Sequence, residues 1–99
     1  MTVAQIVYIS PQDGKMAEVE PYLRRLVEAA GREDGTLIYL LNEKDGEFVL
    51  YEMYASEDAM NLHNENEALH ELGSRAGELL TAPPTIERVS YLAGTGQAG

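Results

Sequence analysis

Two histidines and no cysteine leave this 99-residue chain few side chains able to take up a proton near neutral pH. His63 stands one turn after Ala59 and directly after Leu62, in a segment with helical spacing. Glu52 is the odd residue of the apolar run Phe48-Val49-Leu50-Tyr51-Glu52-Met53-Tyr54. A carboxylate on such a strand needs a partner. The chain between them reverses at Ala55-Ser56, so Glu52 and His63 can meet across a sheet–helix interface. Together they would make a proton acceptor and the group that orients it. The same residues can also serve structure alone: a histidine bonded to a carbonyl at the core edge, a glutamate tying down a helix end.

Other polar residues could surround that pair. Five of the six tyrosines (Tyr8, Tyr39, Tyr51, Tyr54 and Tyr91) fall on expected strands, where most serve packing. Tyr51 or Tyr54 could donate a hydrogen bond to a ligand oxygen, with Tyr39 and Asn42 as further binding candidates. His63, Glu67 and His70 stand at i, i+4 and i+7 and could converge on a metal if the helix were continuous. Asn64-Glu65-Asn66 interrupts it, so no metal is expected. Gly94-Thr95-Gly96-Gln97-Ala98-Gly99 spells a dinucleotide fingerprint, but no helix can open after it. No cofactor site is expected. The lack of cysteine excludes a disulfide scaffold, a thiolate metal centre and a cysteine nucleophile.

The elements that must carry these residues follow from periodicity. Val3 to Ile9 is a β-rich strand ended by Ser10-Pro11-Gln12-Asp13-Gly14. Val19, Tyr22, Leu23, Leu26, Val27 and Ala30 have helical spacing over 16–30. Pro21 implies either a start near Glu20 or a kink. Thr36–Asn42 and Phe48–Tyr54 form a hairpin around Asp45-Gly46. Ser56 caps the next helix and Asn66 recaps its second half, with Leu69, Leu72, Ala76, Leu79 and Leu80 in line. Ala82-Pro83-Pro84 stops it, and Thr85–Leu92 is the last strand. The order β-α-β-β-α-β with a broken second helix specifies an α+β, ferredoxin-like fold with a four-stranded antiparallel sheet. One domain spans 1–92, and 93–99 is a small, polar, flexible tail.

Both faces of the inner strands are apolar. Leu37, Tyr39 and Leu41 oppose Ile38 and Leu40, while Phe48, Leu50, Glu52 and Tyr54 oppose Val49, Tyr51 and Met53. Helices cover one face, and a second copy's sheet is the natural cover for the other, which makes a homodimer. Seventeen acids against seven bases give a net charge of −10, which disfavours nucleic acid and anionic membrane as partners. No apolar run reaches the ~20 residues of a membrane span. The first residues lack a basic leader, which fits a cytoplasmic protein.

The third strand and the broken helix resemble the antibiotic biosynthesis monooxygenase domain. The shared features are an apolar strand ending in Glu52-Met53-Tyr54, then Ala59 and His63 four apart, preceded by Gly35-Thr36-Leu37-Ile38-Tyr39. The resemblance runs from about Val3 to Leu92. It implies a dimeric α/β barrel and a cofactor-independent monooxygenase using O2 on a phenolic, quinol or polyketide-type substrate. On that reading His63, Glu52 and Tyr51 are catalytic, and Asn42, Tyr54 and Tyr39 bind a small aromatic ligand. Two positions depart from the family pattern. Ala68 stands where a second histidine is common, and Tyr54 where tryptophan is common; with no tryptophan in the chain, haem degradation is not expected. The alternative is a small-ligand-binding or isomerase-like module of the same fold.

Overall fold

The computed structural model describes residues 1–96, so the end of the expected tail and of the glycine motif lies outside the described residues. Strand β1 (Val3–Ile9) is followed by helix α1 (Met16–Ala30), then by the hairpin β2 (Thr36–Lys44) and β3 (Glu47–Tyr54). Helices α2 (Glu57–His63) and α3 (Glu67–Leu79) follow, then strand β4 (Thr85–Val89). The sheet is antiparallel throughout, in the order β2-β3-β1-β4. The fold is the α+β, ferredoxin-like arrangement expected from the element order.

Local chemistry explains the joints. Asp45 and Gly46 both take positive φ (50° and 81°), the geometry of a tight hairpin turn. The Ser56 hydroxyl accepts from the Ala59 amide at 3.1 Å, and Asn66 Oδ1 accepts from the Ala68 amide at 2.8 Å. These two caps divide the second helical segment into α2 and α3. Pro21 lies inside α1. The helix starts at Met16, not near Glu20, because Val19 on its first turn is fully buried and that burial offsets one missing backbone hydrogen bond. The last strand stops at Val89 rather than Leu92, where its register with β1 ends at the pair Ala4↔Val89, one residue from the start of β1.

The core lies between helices and sheet. Val7 and Ile9 of β1, Phe48 and Leu50 of β3, Leu23 and Leu26 of α1, and Leu72 and Leu79 of α3 are all buried there. Pairing Gln5↔Glu52 and Tyr39↔Glu52 puts Gln5, Tyr39, Glu52 and Tyr54 on that face. The opposite face carries Ile6, Leu40, Val49, Tyr51 and Met53, with no helix over it. An irregularity between Thr36 and Ile38 takes Leu37 out of the expected alternation and leaves it half exposed.

Candidate functional site

Residue Gly35, in the turn entering β2, lets α2 approach the sheet. A Cβ built there would sit 2.5 Å from the Ala59 Cβ, so only glycine fits. This close approach buries Met60 and His63 on the inner side of α2. Leu62 is exposed, because the two buried residues stand three apart and leave it on the outer side.

Buried Glu52 and His63 both line one cavity of about 120 Å³. Gln5, Tyr39 and Asn64 complete its polar end. Val7, Ile9, Leu26, Leu50, Leu69 and Leu72 form apolar walls, and Pro84 and Ile86 stand at the β4 side. Glu52 Oε1 accepts from Gln5 Nε2 at 2.8 Å and from the Tyr54 hydroxyl at 2.5 Å. Burial first, then the charge and hydrogen bonding of Glu52, push the Tyr39 and Tyr54 phenols far above their ordinary value of 10. Both hydroxyls therefore stay protonated. The rings of Tyr39 and Tyr54 pack against the His63 imidazole, with centroids 5.0 and 5.3 Å away.

The expected Glu52–His63 hydrogen bond gives way to a different pairing. His63 Nδ1 meets Glu33 Oε1 at 2.8 Å, while Glu52 is satisfied from β1 and β3. Glu33 also accepts from Thr36 Oγ1 at 2.7 Å and Asn66 Nδ2 at 2.8 Å. Its burial would raise its pKa, but the hydrogen bonds from Thr36, Asn66 and His63 outweigh this and hold it below the ordinary 4.5.

The structure thus brings His63, Glu52, Tyr39 and Tyr54 together. Tyr51 does not join them: it points to the other face of the sheet, beside Leu40, Thr95 and Gly96, as strand alternation requires. Asn42 also lies away, at the hairpin end, where its Nδ2 reaches the Val49 carbonyl at 3.4 Å. Two participants escape the sequence reading. Gln5 is the one polar residue among Gln5, Val7 and Ile9, so alternation along β1 marks it. Glu33 is set in a turn between Gly31 and Gly35, and no local pattern ties that turn to His63. Metal ligation has no support from position, since His70 is exposed and no group of three acids or histidines is placed to hold an ion among the described residues.

Comparison with known proteins places the arrangement. The profile of the antibiotic biosynthesis monooxygenase family matches residues 2–73. The chain belongs to the antibiotic biosynthesis monooxygenase family. The match spans every residue of the cavity's polar end and ends before Pro84 and Ile86 at its β4 side. A relative from Bacillus subtilis (strain 168), "Putative monooxygenase YcnE", is 34% identical over 84 residues, which cover 82% of this chain and 88% of that protein. Among solved structures, Rv0793 from Mycobacterium tuberculosis superimposes with a TM-score of 0.87 at 28% identity, covering 97% of this chain and 100% of the other. NE2512 from Nitrosomonas europaea gives 0.88 at 26% identity, covering 99% and 96%. This member of the antibiotic biosynthesis monooxygenase family is a monooxygenase-like module with no helix long and apolar enough to cross a membrane among the described residues.

Proposed function

We propose that the chain is a cofactor-independent monooxygenase acting on a single-ring hydroquinone or phenol. The observation that carries this reading is the small, mostly apolar cavity with His63 and Tyr39 at its polar end. Its size, about 120 Å³, approaches the roughly 150 Å³ of an engineered cavity that binds benzene, so one aromatic ring is the natural occupant. His63 takes the phenolic proton. The resulting electron-rich anion passes electrons to O2, and one oxygen atom enters the ring while the other leaves as water. Hydroquinone plus O2 gives hydroxyquinone plus water, so the substrate supplies both electrons and no outside reductant is needed. On substrate binding the Tyr39 hydroxyl turns from Glu52 and donates its hydrogen bond to the oxyanion. Glu52 holds Tyr54 and Gln5 in place through the two hydrogen bonds that its Oε1 accepts.

The sheet face that no helix covers supports a homodimer in which two sheets pack together. Leu40, 54% exposed on the edge strand β2, would be buried there. Replacing Leu40 with Lys should then lower the sedimentation mass to that of one 10.9 kDa chain. A wild-type mass of one subunit at micromolar concentration would remove the dimer.

The test of activity is an oxygen electrode with 1,4-hydroquinone. Uptake above the spontaneous rate, lost in His63→Ala by about 10²-fold or more, supports the reading. No uptake, or uptake unchanged in the variant, overturns it. A second reading, a binding module without oxygen chemistry, is favoured by the engagement of Glu52 and by Ala68. It predicts stabilisation by hydroquinone without turnover.

A further inference from the structure

We propose that Glu33 is a positioning residue that fixes the His63 proton on Nδ1 and leaves Nε2 bare on the cavity side. The reading of His63 as proton acceptor gives this its consequence in turnover, but the assignment itself stands on geometry.

His63 forms a wall between two spaces. On one side is the inner cavity with Tyr39 and Glu52; on the other is an open depression of about 480 Å³ lined by Glu33, Asp34, Asp58 and Ala59. Its Nδ1 is directed to Glu33, on the side of that depression, and Nε2 lies across the ring from it. What Glu33 can offer is set by its other neighbours. Asn66 Oδ1 accepts from the Ala68 amide, which fixes the orientation of the side-chain amide and makes Nδ2 a donor to Glu33 Oε2. Thr36 Oγ1 donates to Oε1. A carboxylate ringed by donors accepts from every one of them, so the remaining bond, at 2.8 Å, is completed by a proton on Nδ1. The hydrogen bonds that depress the Glu33 pKa agree with this ionised, accepting state. During proton uptake at Nε2, the same carboxylate faces the imidazolium that forms and stabilises it without itself taking the proton. One asparagine therefore does two tasks: it starts α3 and fixes the group that fixes the histidine.

The network makes a sharp prediction for an isosteric change. In Glu33→Gln the new amide has one oxygen and one NH2. Asn66 Nδ2 needs an acceptor, so the oxygen turns to Asn66 and the NH2 turns to His63 Nδ1. That nitrogen must then be bare, and the proton moves to Nε2. Adding Asn66→Asp reverses the requirement. The introduced carboxylate still caps α3 and now accepts from the NH2, so the amide oxygen turns back to Nδ1.

The experiment is 15N NMR of the imidazole nitrogens at about pH 8, where a free histidine is neutral, with exposed His70 as an internal reference. Wild type should show His63 protonated at Nδ1, Glu33→Gln at Nε2, and the double variant at Nδ1 again. In parallel, oxygen uptake with 1,4-hydroquinone should fall about 10²-fold in the single variant with little change in KM, and recover to within a few-fold in the double variant. A proton on Nε2 in wild type, or no change in Glu33→Gln, overturns the assignment. Should the single variant fail to fold, the wild-type spectrum and the double variant still decide it. If the tautomers switch as expected but wild type consumes no oxygen, the positioning role stands and the oxygenase reading fails.

Discussion

Replacing Gly35 with Ala tests whether the approach of α2 to the sheet builds the site. The new Cβ would lie 2.5 Å from the Ala59 Cβ, against 3.4 Å at the near limit of ordinary contact, so about 1 Å must open between α2 and the β2 turn. Overpacking of this kind costs about 1–3 kcal/mol, or roughly 4–8 °C of Tm for each kcal/mol in a domain of this size. The strain falls on the site directly, because Glu33 precedes Gly35 by two residues and His63 ends α2. Opening that joint lengthens the 2.8 Å contact between Glu33 and His63. Ala59→Gly removes the opposing methyl and costs about 1 kcal/mol through helix propensity alone. In the double variant the clash is gone, so its stability should return to about that of Ala59→Gly. Urea denaturation of the four proteins gives the coupling energy, expected to be about 1–3 kcal/mol in the rescuing direction. Simple addition of the two losses would refute the argument that contact between these two positions sets the geometry.

Acid should weaken the fold through Glu33. Its folded pKa lies below 4.5, so its stabilising contribution is complete above that value and is lost as pH falls through the folded one. Thr36→Val removes one donor to Glu33, and the stability gap to wild type, about 1 kcal/mol, should be constant above pH 5 and shrink in stronger acid; urea midpoints across the range check it, and a gap independent of pH would contradict the linkage. Alkali should act through Tyr39 and Tyr54, whose folded pKa values are raised above 10. Their contribution is full below 10 and is lost as pH rises through the folded values. Ultraviolet titration should therefore show Tyr39 and Tyr54 ionising only on unfolding, and replacing Tyr54 with Phe should remove one of these two late-ionising groups.

The periodicities that specify the fold are local, and they are plain in this chain. The Asp45-Gly46 turn, the Ser56 and Asn66 caps and the alternation of Phe48, Leu50, Glu52 and Tyr54 each have a cause within a few residues. The meeting of His63 with the polar end of β3 is also legible, because a short reversal joins them. What escapes is pairing between distant segments. The Glu33–His63 contact spans 30 residues and the Gln5–Glu52 contact spans 47. A carboxylate in a turn gives no local sign of its partner, so Glu52, nearer in sequence and visibly out of place, takes the role on paper that Glu33 fills. Tyr51 is a different case. Strand alternation already sets it opposite Glu52, and its place on the far face follows from the period of two.

Labelled oxygen tests the proposed chemistry most directly. Wild-type protein is incubated with 1,4-hydroquinone under 18O2, then quenched promptly with a strong reductant, and the ring products are weighed by mass spectrometry. Insertion through the His63 cavity predicts trihydroxybenzene carrying one heavy oxygen atom, formed in proportion to enzyme and abolished by His63→Ala. Unlabelled hydroquinone recovered alone, with hydrogen peroxide as the fate of the oxygen, would contradict it.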